Sequence, residues 1–131
     1  MERARLKTVL YVDDEPDIRE VVELSLGLAG ALRIHTCDSG LVALDNMPRI
    51  QPDLVLLDVM MPGLDGPATL QRMQNDARLA HIPVVFMTAK AMPQEVARFR
   101  ELGAIAVIPK PFDPMRLSEQ VYAIWEGLPR G

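Results

Sequence analysis

Residues 52–67 read PDLVLLDVMMPGLDGP. An unbroken apolar run, Leu54 to Leu57, stops at an aspartate, Asp58. A strand with one face in water alternates apolar and polar residues. A strand without alternation is covered on both faces, which marks a parallel sheet flanked by helices. Asp65, Gly66 and Pro67 then open a helix carrying Leu70 and Met73, with proline where a missing amide does no harm. This stretch is therefore one strand–helix unit, and the rest of the chain repeats it.

Downstream, Pro83 precedes a second apolar run, Val84, Val85, Phe86 and Met87, which ends in Thr88. A helix is predicted over 93–102, with Val96, Phe99 and Leu102 on one stripe and Gly103 as its terminator. Residues 104–108 read as a short fifth strand, and Asp113 and Pro114 open a last helix that stops at Gly127. Upstream, 8–12 is an apolar, β-branched run, the first strand. Pro16 follows it near a helix start, with Asp14, Glu15 and Asp17 placing negative charge at the positive end of that helix. Ile18, Val21, Val22, Ser25 and Ala29 recur at helical spacing up to Gly30, and Leu26 falls off this stripe. Residues 32–37 read as a second strand, and Ser39 caps a helix running through Met47 that Pro48 closes. Five such units with short connections predict an α/β domain: a five-stranded parallel sheet, doubly wound as (βα)5.

The chain's 131 residues fit a single domain over 1–131 with a core at about 8–126. Only a few residues follow the last helix, so no output domain is expected. With 18 acidic and 14 basic residues, the net charge is −4, and no basic stripe supports nucleic-acid binding. No apolar run approaches the roughly 20 residues of a membrane helix, and the N-terminus MERARLKTVL lacks a signal-peptide core. The lone Cys37 cannot form an internal disulfide. A cytoplasmic protein without membrane insertion is expected.

In an open parallel sheet, ligands gather beyond the carboxyl ends of the strands. There the sequence places Asp13 and Asp14 after strand one, Asp58 after strand three, Thr88 after strand four and Lys110 after strand five. Each has an ordinary reading alone: a helix cap, a turn residue, a strand-end hydroxyl, a solvated charge. Together they describe one site. Crowded carboxylates repel unless a cation intervenes, and Mg2+ takes one or two carboxylates while keeping waters that a phosphate can displace. One carboxylate then acts as nucleophile toward phosphorus, with the lysine and hydroxyl stabilising the transferred charge.

The segments VLYVDDEPDIRE, PDLVLLDVMMPGLDG, IPVVFMTA and VIPKPF, in this order, closely resemble the receiver domain of two-component response regulators across about 8–125. The resemblance implies a flavodoxin-like strand order 2-1-3-4-5 and a phosphorelay role. Asp58 would accept a phosphoryl group from a sensor histidine kinase or a histidine phosphotransfer protein, and an unidentified downstream protein would read the result by contact. It implies no enzyme activity beyond the chain's own phosphorylation and dephosphorylation. Asp14 and Asp58 match direct Mg2+ ligands, Asp13 a ligand acting through water, and Met60 a residue lending its backbone carbonyl. Thr88 matches the hydroxyl that meets the phosphate, Ala89 the small residue beside it, and Lys110 its cationic partner. The bond between Lys110 and Pro111 matches one that is usually cis and aims the lysine. Lys90 and Met60 match positions flanking the route of an attacking water.

One position departs from that pattern. Val107 stands where the family commonly carries Tyr or Phe, so an inward-swinging ring is not available as the switch. On the last helix, Leu117, Val121, Ile124 and part of Trp125 form the buried stripe, while Met115 and Tyr122 lie off it. Tyr122 is either an edge packing residue or part of a docking face with the helix after Pro93. Three other functions compete. An aspartate-nucleophile phosphatase would need a second aspartate two residues after Asp13, where Glu15 stands. A flavin carrier would need a phosphate loop where Asp13, Asp14 and Glu15 would repel phosphate. A receiver-like module that binds partners without phosphorylation fits the Val107 departure.

Overall fold

The computed structural model describes residues 5–129. The elements, in chain order, are β1 Thr8–Val12, α1 Pro16–Gly27, β2 Arg33–Cys37, α2 Gly40–Ile50, β3 Leu54–Asp58, α3 Gly66–Gln74, β4 Val84–Thr88, α4 Pro93–Leu102, β5 Ala106–Pro109 and α5 Leu117–Glu126. The strands form one sheet in the order β2-β1-β3-β4-β5, all neighbours parallel. The doubly wound α/β reading is thus correct, including its strand order.

Alternation along each strand sends side chains to opposite faces, and both faces are covered. Leu10, Val12, Val55, Leu57, Val84 and Phe86 meet Ala43 and Met47 of α2, Leu70 and Met73 of α3 and Phe99 of α4. Val9, Tyr11, Leu54, Leu56, Val85 and Met87 meet Val22 and Leu26 of α1 and Leu117, Val121 and Trp125 of α5. Every residue of β3 and of β4 is buried, which is the physical content of their unalternated apolar runs. Truncating Leu56 or Leu57 to Ala would cost about 2–5 kcal/mol.

Local chemistry sets most boundaries. Asp65 caps α3 by accepting from the Ala68 N–H at 2.9 Å, and Ser39 caps α2 through the Val42 N–H. Gly103 ends α4 at φ 118°, a conformation that costs glycine little.

The differences from the sequence reading have identifiable causes. Pro48 does not close α2, which continues to Ile50. Proline removes only its own amide, and the last turn is secured by the Gln51 N–H to the Met47 carbonyl at 2.7 Å. Gln51 itself, at φ 48°, stops the helix. Strand β2 starts at Arg33 rather than residue 32, and β5 starts at Ala106 rather than 104, because the Ala104 N–H is taken by the Phe99 carbonyl that closes α4. Asp113 and Pro114 form a turn before α5, held by Asp113 accepting from Met115 and Arg116. The stripe of α1 is Val22, Ser25 and Leu26, so Leu26 is core and Val21 lies at the exposed border. Leu102 is likewise exposed, and α5 buries Trp125 more fully than Ile124.

Candidate functional site

The site grows from the sheet register. Val12 sits opposite Leu57, Asp58 opposite Met87 and Thr88 opposite Pro109. The ladder continues one step past the strands through the Asp13 N–H to Cys37, the Val59 N–H to Met87 and the Lys110 N–H to Thr88. Residues far apart in sequence therefore reach one carboxyl edge on rigid backbone.

Lys110 is the centre of the side-chain arrangement. Its Nζ donates to Asp13 Oδ2 at 2.9 Å and to Asp58 Oδ1 at 2.8 Å. Asp14 completes the acidic group: one carboxylate oxygen from each of Asp13, Asp14 and Asp58 falls within a 4.8 Å cluster. Asp13 and Asp58 are buried, and Asp14 is half-buried.

Burial pushes the Asp58 carboxyl above the ordinary range; Lys110 pulls it down, and the charges of Asp13 and Asp14 push it up again. Burial works against the Lys110 ammonium, but its bonds to Asp58 and Asp13 outweigh that and hold its pKa above the usual value. Asp13 and Asp58 thus share the Lys110 ammonium while Asp14 adds a third carboxylate beside them, and all three offer hard oxygen donors. That donor set suits a hard divalent cation of the magnesium type.

The other expected residues lie nearby in different roles. Thr88 is buried at the end of β4, and its Oγ1 accepts from the Lys90 N–H at 3.0 Å rather than touching the carboxylates. Ala89 lines a largely apolar groove of about 380 Å³ with Ile18, Val21, Lys110 and Pro111. The peptide between Lys110 and Pro111 is cis. Met60 is exposed just beyond Asp58 and borders a surface hollow with Met61, Pro62 and Asp65. Val107 is half-buried against the core under α4, and Tyr122 is half-buried against the core under α5.

Four contributors were not assigned to the site from the sequence. Tyr11 donates its hydroxyl to Asp13 Oδ2 at 2.5 Å; strand alternation, which puts positions 11 and 13 on one face, was the available signal. The backbone N–H of Glu15 donates to Asp13 Oδ1 at 3.0 Å, and Arg19 donates to the Asp13 carbonyl at 2.8 Å. Gly66 presses its backbone against Asp58 and Val59.

Among known proteins, the family model for the response regulator receiver domain matches residues 9–122. The response regulator Rre1 of a Synechocystis species is 38% identical over 110 residues, which span 84% of this chain and 48% of that protein. A probable cyclic di-GMP phosphodiesterase of Vibrio cholerae is 37% identical over 88% of this chain but only 26% of its own length. The chain thus spans about half or less of these curated relatives. The solved structure of the Vibrio cholerae chemotaxis protein CheY4 superposes with a TM-score of 0.83 at 26% identity, covering 92% of this chain and 99% of that one. No helix among the described residues is long and apolar enough to cross a membrane.

Proposed function

Because this chain belongs to the response-regulator receiver domain family, we propose that Asp58 is its phosphoacceptor, taking a phosphoryl group from a phosphohistidine on a sensor kinase or phosphotransfer protein. The observation that carries the assignment is Lys110 bridging Asp13 and Asp58 at 2.9 and 2.8 Å beside the half-buried Asp14. Asp58 ends a fully buried central strand, so its carboxylate is held in place for in-line attack. Lys110 stays protonated and donates to the oxygens of the arriving group. Thr88, on the strand next to Lys110 and accepting the Lys110 N–H at its carbonyl, supplies a hydroxyl once it releases Lys90.

Asp13, Asp14, Asp58 and the Met60 carbonyl would hold Mg2+. When bound, the ion neutralises charge on the phosphoryl oxygens and relieves repulsion among the three carboxylates. The chain's chemistry is confined to its own phosphorylation and dephosphorylation, and its output is contact with a downstream protein. Val107 in place of an aromatic residue favours a readout through the segment after Thr88, with Tyr122 on a face available for docking.

The test is intact mass after incubation with acetyl phosphate and magnesium. The expected result is a gain of one phosphoryl group that requires magnesium and is absent in Asp58→Asn. Uptake that persists in the variant would reassign the acceptor. No uptake by wild type from acetyl phosphate or from a phosphorylated histidine donor would favour a phosphorylation-independent binding module.

A further inference from the structure

Tyr11 lies within β1, flanked by β2 and β3 in the sheet, and is fully buried. Its ring packs with Val9, Leu54, Leu56 and Met87 on the face covered by α1 and α5. A buried phenol needs a hydrogen-bond acceptor, and this one has Asp13 Oδ2 at 2.5 Å. Facing a carboxylate oxygen, which can only accept, the phenol is the donor of this pair.

The same oxygen, Asp13 Oδ2, also accepts from Lys110, while Asp13 Oδ1 accepts from the Glu15 N–H. Asp13 is thus a wholly buried carboxylate satisfied by protein donors on both oxygens. Lys110 is meanwhile divided between Asp13 and Asp58. When an arriving phosphoryl group claims Lys110, Oδ2 loses one of its donors. Leaving a buried charged acceptor bare incurs its full desolvation penalty. Tyr11 cannot follow Lys110, because its ring is fully buried in the core between the sheet and the helices α1 and α5.

We infer that Tyr11 is a positioning residue for phosphoryl transfer: its hydroxyl holds Asp13 Oδ2 so that Lys110 can leave Asp13 for the incoming group. The inference rests on the reading of Asp58 as phosphoacceptor. With acetyl phosphate, an Asp58 oxygen forms a bond to phosphorus, the bond from phosphorus to the acetyl oxygen breaks, and acetate leaves with the electron pair. Lys110 and Tyr11 keep their protons and contribute hydrogen bonds only.

Tyr11→Phe keeps the ring and removes the donor. Measured with acetyl phosphate at saturating magnesium, its phosphorylation rate should fall about tenfold. Magnesium affinity, measured by calorimetry, should be no weaker than wild type, since Asp13 has lost a competing donor. A rate within twofold of wild type overturns the inference. So does a parallel fall in rate and magnesium affinity, which is the signature of a loosened pocket. If wild type takes no phosphoryl group, the Asp58 reading fails and this one with it; uptake by wild type with an equal rate in Tyr11→Phe removes the Tyr11 role alone. A second measurement needs no variant. In wild type loaded with magnesium and beryllium fluoride, the Tyr11 hydroxyl proton should remain hydrogen-bonded by NMR while the Lys110 ammonium signal moves. Loss of the Tyr11 proton signal on loading would overturn the inference.

Discussion

Replacing Gly66 with alanine would press directly on the end of β3, the strand that carries Asp58. A Cβ at Gly66 would stand 2.7 Å from the Asp58 carbonyl oxygen and 2.9 Å from Val59 Cα. Ordinary contact starts near 3.4 Å, so the shortfall is 0.7 Å. Both neighbours are backbone, so no side-chain rotation relieves it. The Gly66 N–H also donates to the Val59 carbonyl at 3.0 Å, and separating the segments by that amount takes the bond beyond useful range. Overpacking costs about 1–3 kcal/mol, and the lost hydrogen bond costs roughly 0.5–1.5 kcal/mol. Alanine's better helix propensity returns at most about 1 kcal/mol. The expected net loss is about 0.5–3.5 kcal/mol in urea unfolding.

Gly27, at the end of α1, is the control, because a Cβ there meets nothing within 4 Å. Gly27→Ala should stabilise by about 0.4–1 kcal/mol. The opposite signs of the two substitutions are the test. A Gly66→Ala variant within about 0.5 kcal/mol of wild type, or stabilised like Gly27→Ala, would refute the claim that α3 bears on the end of β3. The same displacement should slow acetyl phosphate phosphorylation roughly tenfold, since a misplacement near 1 Å can cost about a hundredfold.

Asp58→Asn should raise the urea midpoint at pH 7 without magnesium. The raised pKa of Asp58 means the native state binds its proton more tightly than the unfolded chain, so the wild type loses stability as pH rises through that pKa. The variant's advantage should shrink as pH falls toward the ordinary carboxylate value near about 3.9; an equal or lower midpoint at pH 7 would contradict this. Magnesium at ten times its Kd should stabilise the wild type by about 1.4 kcal/mol in thermal unfolding, and Asp14→Asn should abolish most of that gain. An undiminished magnesium response in Asp14→Asn would remove Asp14 from the ligand set. Loading with beryllium fluoride should speed hydrogen exchange at the Lys90 amide, which now donates to Thr88 Oγ1; unchanged exchange would argue that Thr88 does not turn toward the phosphoryl group.

Much of this architecture was legible because parallel strands covered on both faces have a distinctive composition. The runs ending in Asp58 and Thr88 gave β3 and β4 to the residue, and Asp65 and Gly103 marked the ends of α3 and α4 through capping chemistry. The carboxylates and Lys110 followed from strand-end position alone. What was missed depended on tertiary detail. Whether Pro48 ends α2 is decided by the bond that Gln51 makes to Met47. Whether Leu26 or Val21 faces inward is decided by a rotation of α1 that period-3.6 counting leaves loose. Tyr11 looked like one more apolar core residue, and only the direction of its hydroxyl ties it to Asp13.

The same construction suggests how a charge at Asp58 would be felt elsewhere. Asp58, Lys110 and Asp13 stand on strands whose interiors are close-packed, so the strands themselves have little room to yield. The segment after Thr88 lies outside that packed interior, with Ala89, Lys90 and Met92 exposed. Its Lys90 amide depends on the Thr88 hydroxyl, and α4, which begins at Pro93, has Met92 as its N-cap with no side-chain cap bond. The outer surface of α4 is mostly exposed, with Phe99 its buried anchor. A hydroxyl drawn toward the site would release Lys90 and with it the start of α4, while Phe99 holds the far end against Phe86 in an edge-to-face contact at 5.1 Å. Val107 then need not move. The half-buried valine is a packing surface beneath α4, and on the proposed reading a route from Thr88 through Lys90 to α4 would do the work that an aromatic ring at 107 would otherwise perform.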